Sequence, residues 1–120
     1  MESILNSVKS HIGISEAETH FDGDIIIHIN SVFSILRQMG VGPKTTFSIV
    51  DEKAIWNDFT EDDPDFSEVK TYMYLKVKMI FDPPANSNIL TAMKEQISEL
   101  EWRLTATASN KKMEEDNGDE

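Results

Sequence analysis

The chain has 120 residues, a formal net charge of −11 and no cysteine. The length is that of one ordinary domain, and a hydrophobic content of 39% supports a packed core rather than full-length disorder. The absence of cysteine excludes disulfides, thiol nucleophiles and thiolate metal sites. The excess of acidic residues argues against direct binding to the phosphates of nucleic acids.

Two helices are predicted in the first third of the chain. Apolar residues recur at spacings of three and four over residues 2–12, and Gly13 can end this short first helix. The same stretch has no long apolar region, so it indicates no secretory signal. A longer second helix begins near Asp22 and Asp24, because carboxylates favour a helix N-terminus, and Gly40 ends it. Its stripe consists of Ile25, Ile29, Val32, Leu36 and Met39.

Residues 44–65 break the helical period. Residues 45–50 are rich in β-branched and aromatic side chains, and residues 54–59 are a possible returning strand, so we expect either a small hairpin or a long structured loop. Such a hairpin must pack on the helices or on another subunit to be stable. The acidic run that follows lacks glycine and contains Pro64, which favours a solvated linker over a calcium loop.

Two further helices complete the predicted fold. The third begins near Phe66 and ends at Asp82, before two prolines. Its apolar residues cover two faces, which predicts a central position or a face reserved for a partner. The fourth runs to about residue 106 with a heptad seam of Leu90, Met93, Ile97, Leu100 and Leu104.

The predicted fold class is therefore mainly α: a small four-helix domain with a hairpin-like irregular segment between the second and third helices. The domain covers residues 1–106. Residues 107–120 are acidic and lack periodicity, so we expect a disordered C-terminal tail.

No catalytic constellation is recognisable. The sequence has no P-loop, GxGxxG or HExxH motif and no Ser–His–Asp order, so we predict no enzyme, no catalytic residue, no metal and no cofactor. Asp24 and His28 are four residues apart on one helix face. They leave open a small metal-dependent hydrolase, although an exposed polar pair is the simpler interpretation.

Aromatic residues are the candidates for an interface with another subunit or another protein, since tryptophan and tyrosine are enriched at protein contacts. Trp56 and Phe59 either pack the irregular segment onto the core or anchor an interface. Trp102 lies off the heptad seam, which indicates either a second contact surface or a place in the core. The full candidate set is Phe47, Trp56, Phe59, Tyr72 and Trp102.

The order of these segments resembles the bacteriophage head–tail connector family, the small adaptors below the portal of long-tailed phages. The resemblance spans residues 1–106 and is strongest in VKTYMYLKVKMIFDPP, residues 69–84, and ELEWRL, residues 99–104. It implies a helical protomer and a closed ring of about a dozen copies, in which one patch meets a different patch on the next copy. It also implies a structural joint without enzymatic activity.

The resemblance further implies the partners. These are other copies of the chain, the portal protein and a tail-side head-completion protein, with DNA passing through the ring without specific binding and no membrane. The location would be the neck of the virion, after assembly in the cytoplasm of the bacterial host. An acidic channel wall would keep DNA from sticking, because like charges repel.

An acidic decoy that mimics DNA is the alternative function. Such a protein needs carboxylates spaced along one face and a basic partner. The mixture of lysines and acids on the predicted helices counts against it.

Overall fold

The computed structural model describes residues 2–59 and 66–118, and it confirms a mainly α fold. Its helices are α1 (Ile4–His11), α2 (Asp22–Gln38), the single turn α3 (Trp56–Phe59), α4 (Phe66–Phe81) and α5 (Ser87–Gly118). Four of them are the predicted helices, and their boundaries are close to those expected except at the C-terminal end of α5. Among the described residues none belongs to a β-strand.

Helix α4 is the centre of the fold. It packs against α1, α2 and α5, whereas α1 and α2 also contact each other. Its two apolar faces explain this position, because each needs its own cover. The buried residues on α4 are Val69, Tyr72, Met73 and Val77. Of the two predicted alternatives, the central position is therefore correct.

The seam predicted on the last helix is confirmed. Met93, Ile97, Leu100 and Leu104 are buried, and α5 lies along α4. Alternating spacings of three and four keep these side chains on one face. The opposite face of α5 is therefore left to solvent.

Of the two predicted forms of the irregular segment, the structure shows the long structured loop and not the small hairpin, because the two halves of the segment do not pair with each other. The Ile4 amide donates to the carbonyl of Ala54 at 3.0 Å, and Ser3 and Ile55 form an isolated antiparallel bridge. The other half is held by α2: the Ile49 amide donates to Asn30 Oδ1 at 2.8 Å, and Asn30 Nδ2 donates to the Ile49 carbonyl at 3.0 Å. Each extended piece thus finds its hydrogen-bond partner elsewhere in the chain.

Helix α5 is longer than predicted. It continues to Gly118, so residues 107–118 are helical in the structure and not the disordered tail expected from their composition. Alanine and lysine are good helix formers, and Ala108 packs against the core beside Gly40. The division at residue 106 into a domain and a separate tail stays a prediction. The last two residues and the acidic run 60–65 lie outside the described residues.

Within the described part of the chain, none of the helices combines the length and the apolar character that crossing a membrane requires.

Candidate interaction surface

Most of the candidate aromatic residues lie inside the protomer. The ring of Phe33 on α2 is 4.9 Å from that of Phe47, 4.8 Å from that of Phe59 and 6.2 Å from that of Trp56, measured between centroids. Trp56 is only 1% exposed, and its indole N–H donates to Ser7 Oγ at 2.9 Å. These residues fasten the irregular segment to α1 and α2, so a partner cannot reach Trp56 or Phe59 in this conformation.

Tyr72 is also a core residue, with no exposed surface. Its hydroxyl donates to Glu101 Oε2 at 2.8 Å and so joins α4 to α5. Burial and the neighbouring Glu101 carboxylate raise the pKa of Tyr72, since both disfavour the phenolate. Its role in this conformation is to hold two helices together.

Trp102 alone of the five candidates is largely exposed, at 72% of its surface. It points away from α4, because it lies about 160° around the helix from the buried Leu104. The neighbouring Arg103 is held by Glu99 Oε1 at 2.6 Å and by Glu68 Oε1 at 3.6 Å. Trp102 is therefore an exposed apolar projection on a helix that Arg103 and Glu68 join to α4.

A cleft lies between the end of α2 and the late part of α5. Its volume is about 500 Å³, and we call it the α2–α5 cleft. Apolar and small residues line it together with lysines; the lining includes Met39, Gly40, Lys44, Ala108, Ser109 and Lys112. Arg37 lies beside it and donates from Nε to the carbonyl of Lys44 at 3.2 Å. In a chain of net charge −11, this concentration of cations is a distinct feature.

Comparison with known proteins identifies the family. A family model described as phage connector protein matches residues 4–111, from the start of α1 into the last third of α5. The chain belongs to the phage connector protein family. Comparisons with curated proteins and with solved structures found no match. The family resemblance seen in the sequence is thereby confirmed, and it places the chain among structural phage proteins with a head–tail connector role.

The Asp24–His28 pair has no third metal ligand nearby among the residues that the structure describes. In residues 2–59 and 66–118, no group of three histidine, aspartate or glutamate side chains is close enough together to hold a metal ion. Asp24 is exposed and His28 is half-buried on α2. Another histidine, His11, stacks on Tyr74 with ring centroids 3.7 Å apart, and its Nδ1 lies 2.9 Å from the Ser7 carbonyl. That histidine is engaged in packing.

Sequence reasoning missed the α2–α5 cleft of the connector. Its lysines lie on segments about 70 residues apart, and the predicted end of the last helix at residue 106 would have removed one wall. The one available signal was the pair Lys111–Lys112 in an otherwise acidic C-terminal stretch.

Proposed function

We propose that this connector forms a ring below the portal of a tailed bacteriophage or prophage, continues the DNA channel and provides the attachment site for the tail. The observation that carries the proposal is the family match over residues 4–111, which covers α1, α2 and α4 and most of α5. The portal protein and a tail-side head-completion protein are its proposed partners, and the neck of the virion is its proposed location.

The shape of the protomer supports a ring. It is a slab of 52 × 35 × 20 Å, with α5 running about 48 Å at 1.5 Å per residue. A closed ring of identical copies needs two different contact patches on each protomer. The exposed indole of Trp102 and the α2–α5 cleft are two surface features of different chemistry, which fits this requirement.

The acidic surface supports passage of DNA without binding. Exposed carboxylates include Glu16 and Glu18 in the connection between α1 and α2, and Glu95 on α5. Carboxylates that line a channel would repel the phosphates of DNA. They also cannot replace the counterions around the phosphates, so DNA binding would gain no free energy from counterion release. Glu16→Lys and Glu18→Lys together should slow DNA ejection if that loop faces the channel, and unchanged ejection and infectivity would show that it does not.

The acidic decoy is less well supported by the described surface. Several carboxylates are paired with cations: Glu2 with Lys70 at 2.9 Å, Asp82 with Lys78 at 3.8 Å and Glu99 with Arg103. A DNA mimic needs rows of uncompensated negative charge. The interleaved pairs interrupt such rows.

Electron microscopy of the purified connector, alone and mixed with the portal ring of the same genome, tests the proposed function. The expected result is an annular particle or an added layer below the portal, whose symmetry gives the number of copies. A portal ring from an unrelated phage is the control. An undecorated cognate portal, together with no rings at high protein concentration, would contradict the proposal.

A further inference from the structure

The outer face of α5 presents a protruding indole on a mildly acidic background. Thr91, Glu95, Ser98 and Trp102 follow one another at spacings of four, three and four, so they share the face opposite the buried seam. All four are exposed. Trp102 is the large apolar residue of this face, and Glu95 lies two turns before it.

The α2–α5 cleft has the opposite character. Met39, Gly40 and Ala108 give its lining an apolar part, and Lys44, Lys111 and Lys112 give it a cationic part. Glu114 follows one turn later on α5. A volume of about 500 Å³ falls within the usual range of about 300–1,000 Å³ for sites that enclose small organic groups, so an indole side chain can enter.

We propose that Trp102 of one copy occupies the α2–α5 cleft of a second copy. The ring would pack on Met39 and Ala108, and the ammonium groups of Lys44 and Lys112 would lie near its π face, an attractive arrangement for an indole. Docking would also bring Glu95 and Glu99 of the first copy toward the lysines of the second. This inference deepens the proposed ring, because it names the two patches that meet.

The contact must form between copies and not within one. Trp102 and Ala108 lie on the same helix, about 9 Å apart along its axis and about 120° apart around it. A continuous helix cannot bend a residue into a cleft that its own later turns line. The exposed side chain of Trp102, which we call the knob, and the α2–α5 cleft are therefore separate patches of one protomer. A contact between the knob of one copy and the cleft of the next is heterologous and can propagate around a ring.

Complementation of two variants tests the contact by sedimentation velocity of the full chain. Trp102→Ala removes the knob and keeps the cleft, whereas Ser109→Trp places a bulky side chain at the mouth of the cleft and keeps the knob. Each variant alone should lose self-association, by about tenfold or more in the association constant. An equimolar mixture should form a 1:1 heterodimer and stop there, because only one knob–cleft pair remains.

Matched controls separate this contact from general effects of exposed side chains. Ile89→Ala removes another exposed apolar residue of α5, and Asn110→Trp adds an indole beside Ser109 but outside the cleft lining. Both should assemble as the unchanged chain does. Circular dichroism melts of all four variants would check that they fold.

Several outcomes overturn the inference. They are a chain that stays monomeric at the highest accessible concentration, variants that assemble as well as the unchanged chain, or a mixture that gives no heterodimer. If Trp102→Ala instead self-associates normally but no longer adds a layer to the portal, Trp102 meets the portal and not a second copy. In that case the inference fails while the proposed function stands.

Discussion

The ammonium group of Lys9 lies 2.8 Å from Asp22 Oδ1 and is almost completely enclosed, with 1% of the side chain exposed. It also donates to the carbonyls of Glu16 and Glu18, at 3.2 Å and 2.6 Å. One cation on α1 thus holds the connection to α2 and the first turn of α2. The carboxylate of Asp22 is in addition favourably placed at a helix N-terminus.

Replacement of Lys9 by methionine should destabilise the connector by about 2–3 kcal/mol, below the usual cost of breaking a fully buried pair because Asp22 is 24% exposed. The variant keeps the apolar stem but leaves the Asp22 carboxylate and two carbonyls without their donor. Urea unfolding followed by circular dichroism measures the change. Lys53→Met, at an exposed position, is the control and should have little effect; equal losses in the two variants would contradict this role of Lys9.

Gly42→Ala should cost more stability than Gly13→Ala. Both glycines have positive φ, +88° and +82°, so each substitution carries the backbone penalty of about 1–2 kcal/mol for a left-handed residue. An added Cβ at Gly13 meets open space, whereas at Gly42 it would strike the ring of Phe59. The ring cannot retreat easily, because it packs against Phe33 and Phe47.

The difference between these two variants is the test of that close approach. Thermal or urea unfolding should show a larger loss at Gly42 by at least about 1 kcal/mol, the order of an overpacking cost. Equal losses would mean that the aromatic cluster yields to the methyl group.

Much of this architecture could be predicted from the sequence, for a physical reason. The stripe of α2 and the seam of α5 are periodic over many residues, so each helix shows its buried face without reference to its neighbours. The irregular segment has no such period. Its partners are Asn30, 19 residues from Ile49, and the N-terminal residues, about 50 positions from Ala54.

The candidate site was predicted less well than the fold. The sequence gives the positions of the aromatic residues Trp56, Tyr72 and Trp102, but it does not show which of them are covered by other helices and therefore buried. Trp56 and Tyr72 are covered by α1 and α5, and Trp102 is not. The end of α5 was misjudged because its apolar stripe fades after Leu104, although helix-forming residues continue and Ala108 still contacts the core.

Tyr72 makes the stability of the connector sensitive to alkali. Its pKa in the folded state is raised above the usual value of 10.0, so above about pH 10 the unfolded chain loses this proton first. The folded state then binds more protons than the unfolded state, and the free energy of unfolding falls as pH rises. Below pH 10 both states hold the proton, and this contribution to stability is fully present.

Tyr72→Phe should therefore flatten the decline of stability between about pH 10 and pH 11, at a cost of about 1 kcal/mol at neutral pH for the lost hydrogen bond. Burial also raises the pKa of Tyr74, so part of the decline should persist. Urea unfolding at several pH values measures both effects, with Tyr74→Phe as the comparison. A decline of unchanged slope in Tyr72→Phe would assign the alkaline sensitivity to other groups.

Truncation of the C-terminus should separate two roles of the end of α5. A chain ending at residue 106 lacks Ala108, Ser109 and Lys112, so it loses one wall of the α2–α5 cleft. It keeps the seam through Leu104 and should fold, but we expect weaker self-association and weaker binding to the portal. A chain ending at residue 112 keeps the cleft and removes the mainly acidic residues 113–120, together with the exposed Met113.

The two truncations should therefore differ when binding to the portal ring is measured by co-sedimentation and electron microscopy. If the cleft is what matters, the chain of 112 residues behaves like the full connector and the chain of 106 residues does not. If both lose the portal while the longer one still self-associates, the acidic residues after 112 make the portal contact. Normal portal binding by both would show that the end of α5 takes no part in assembly, because neither the cleft wall nor the acidic end would then be needed.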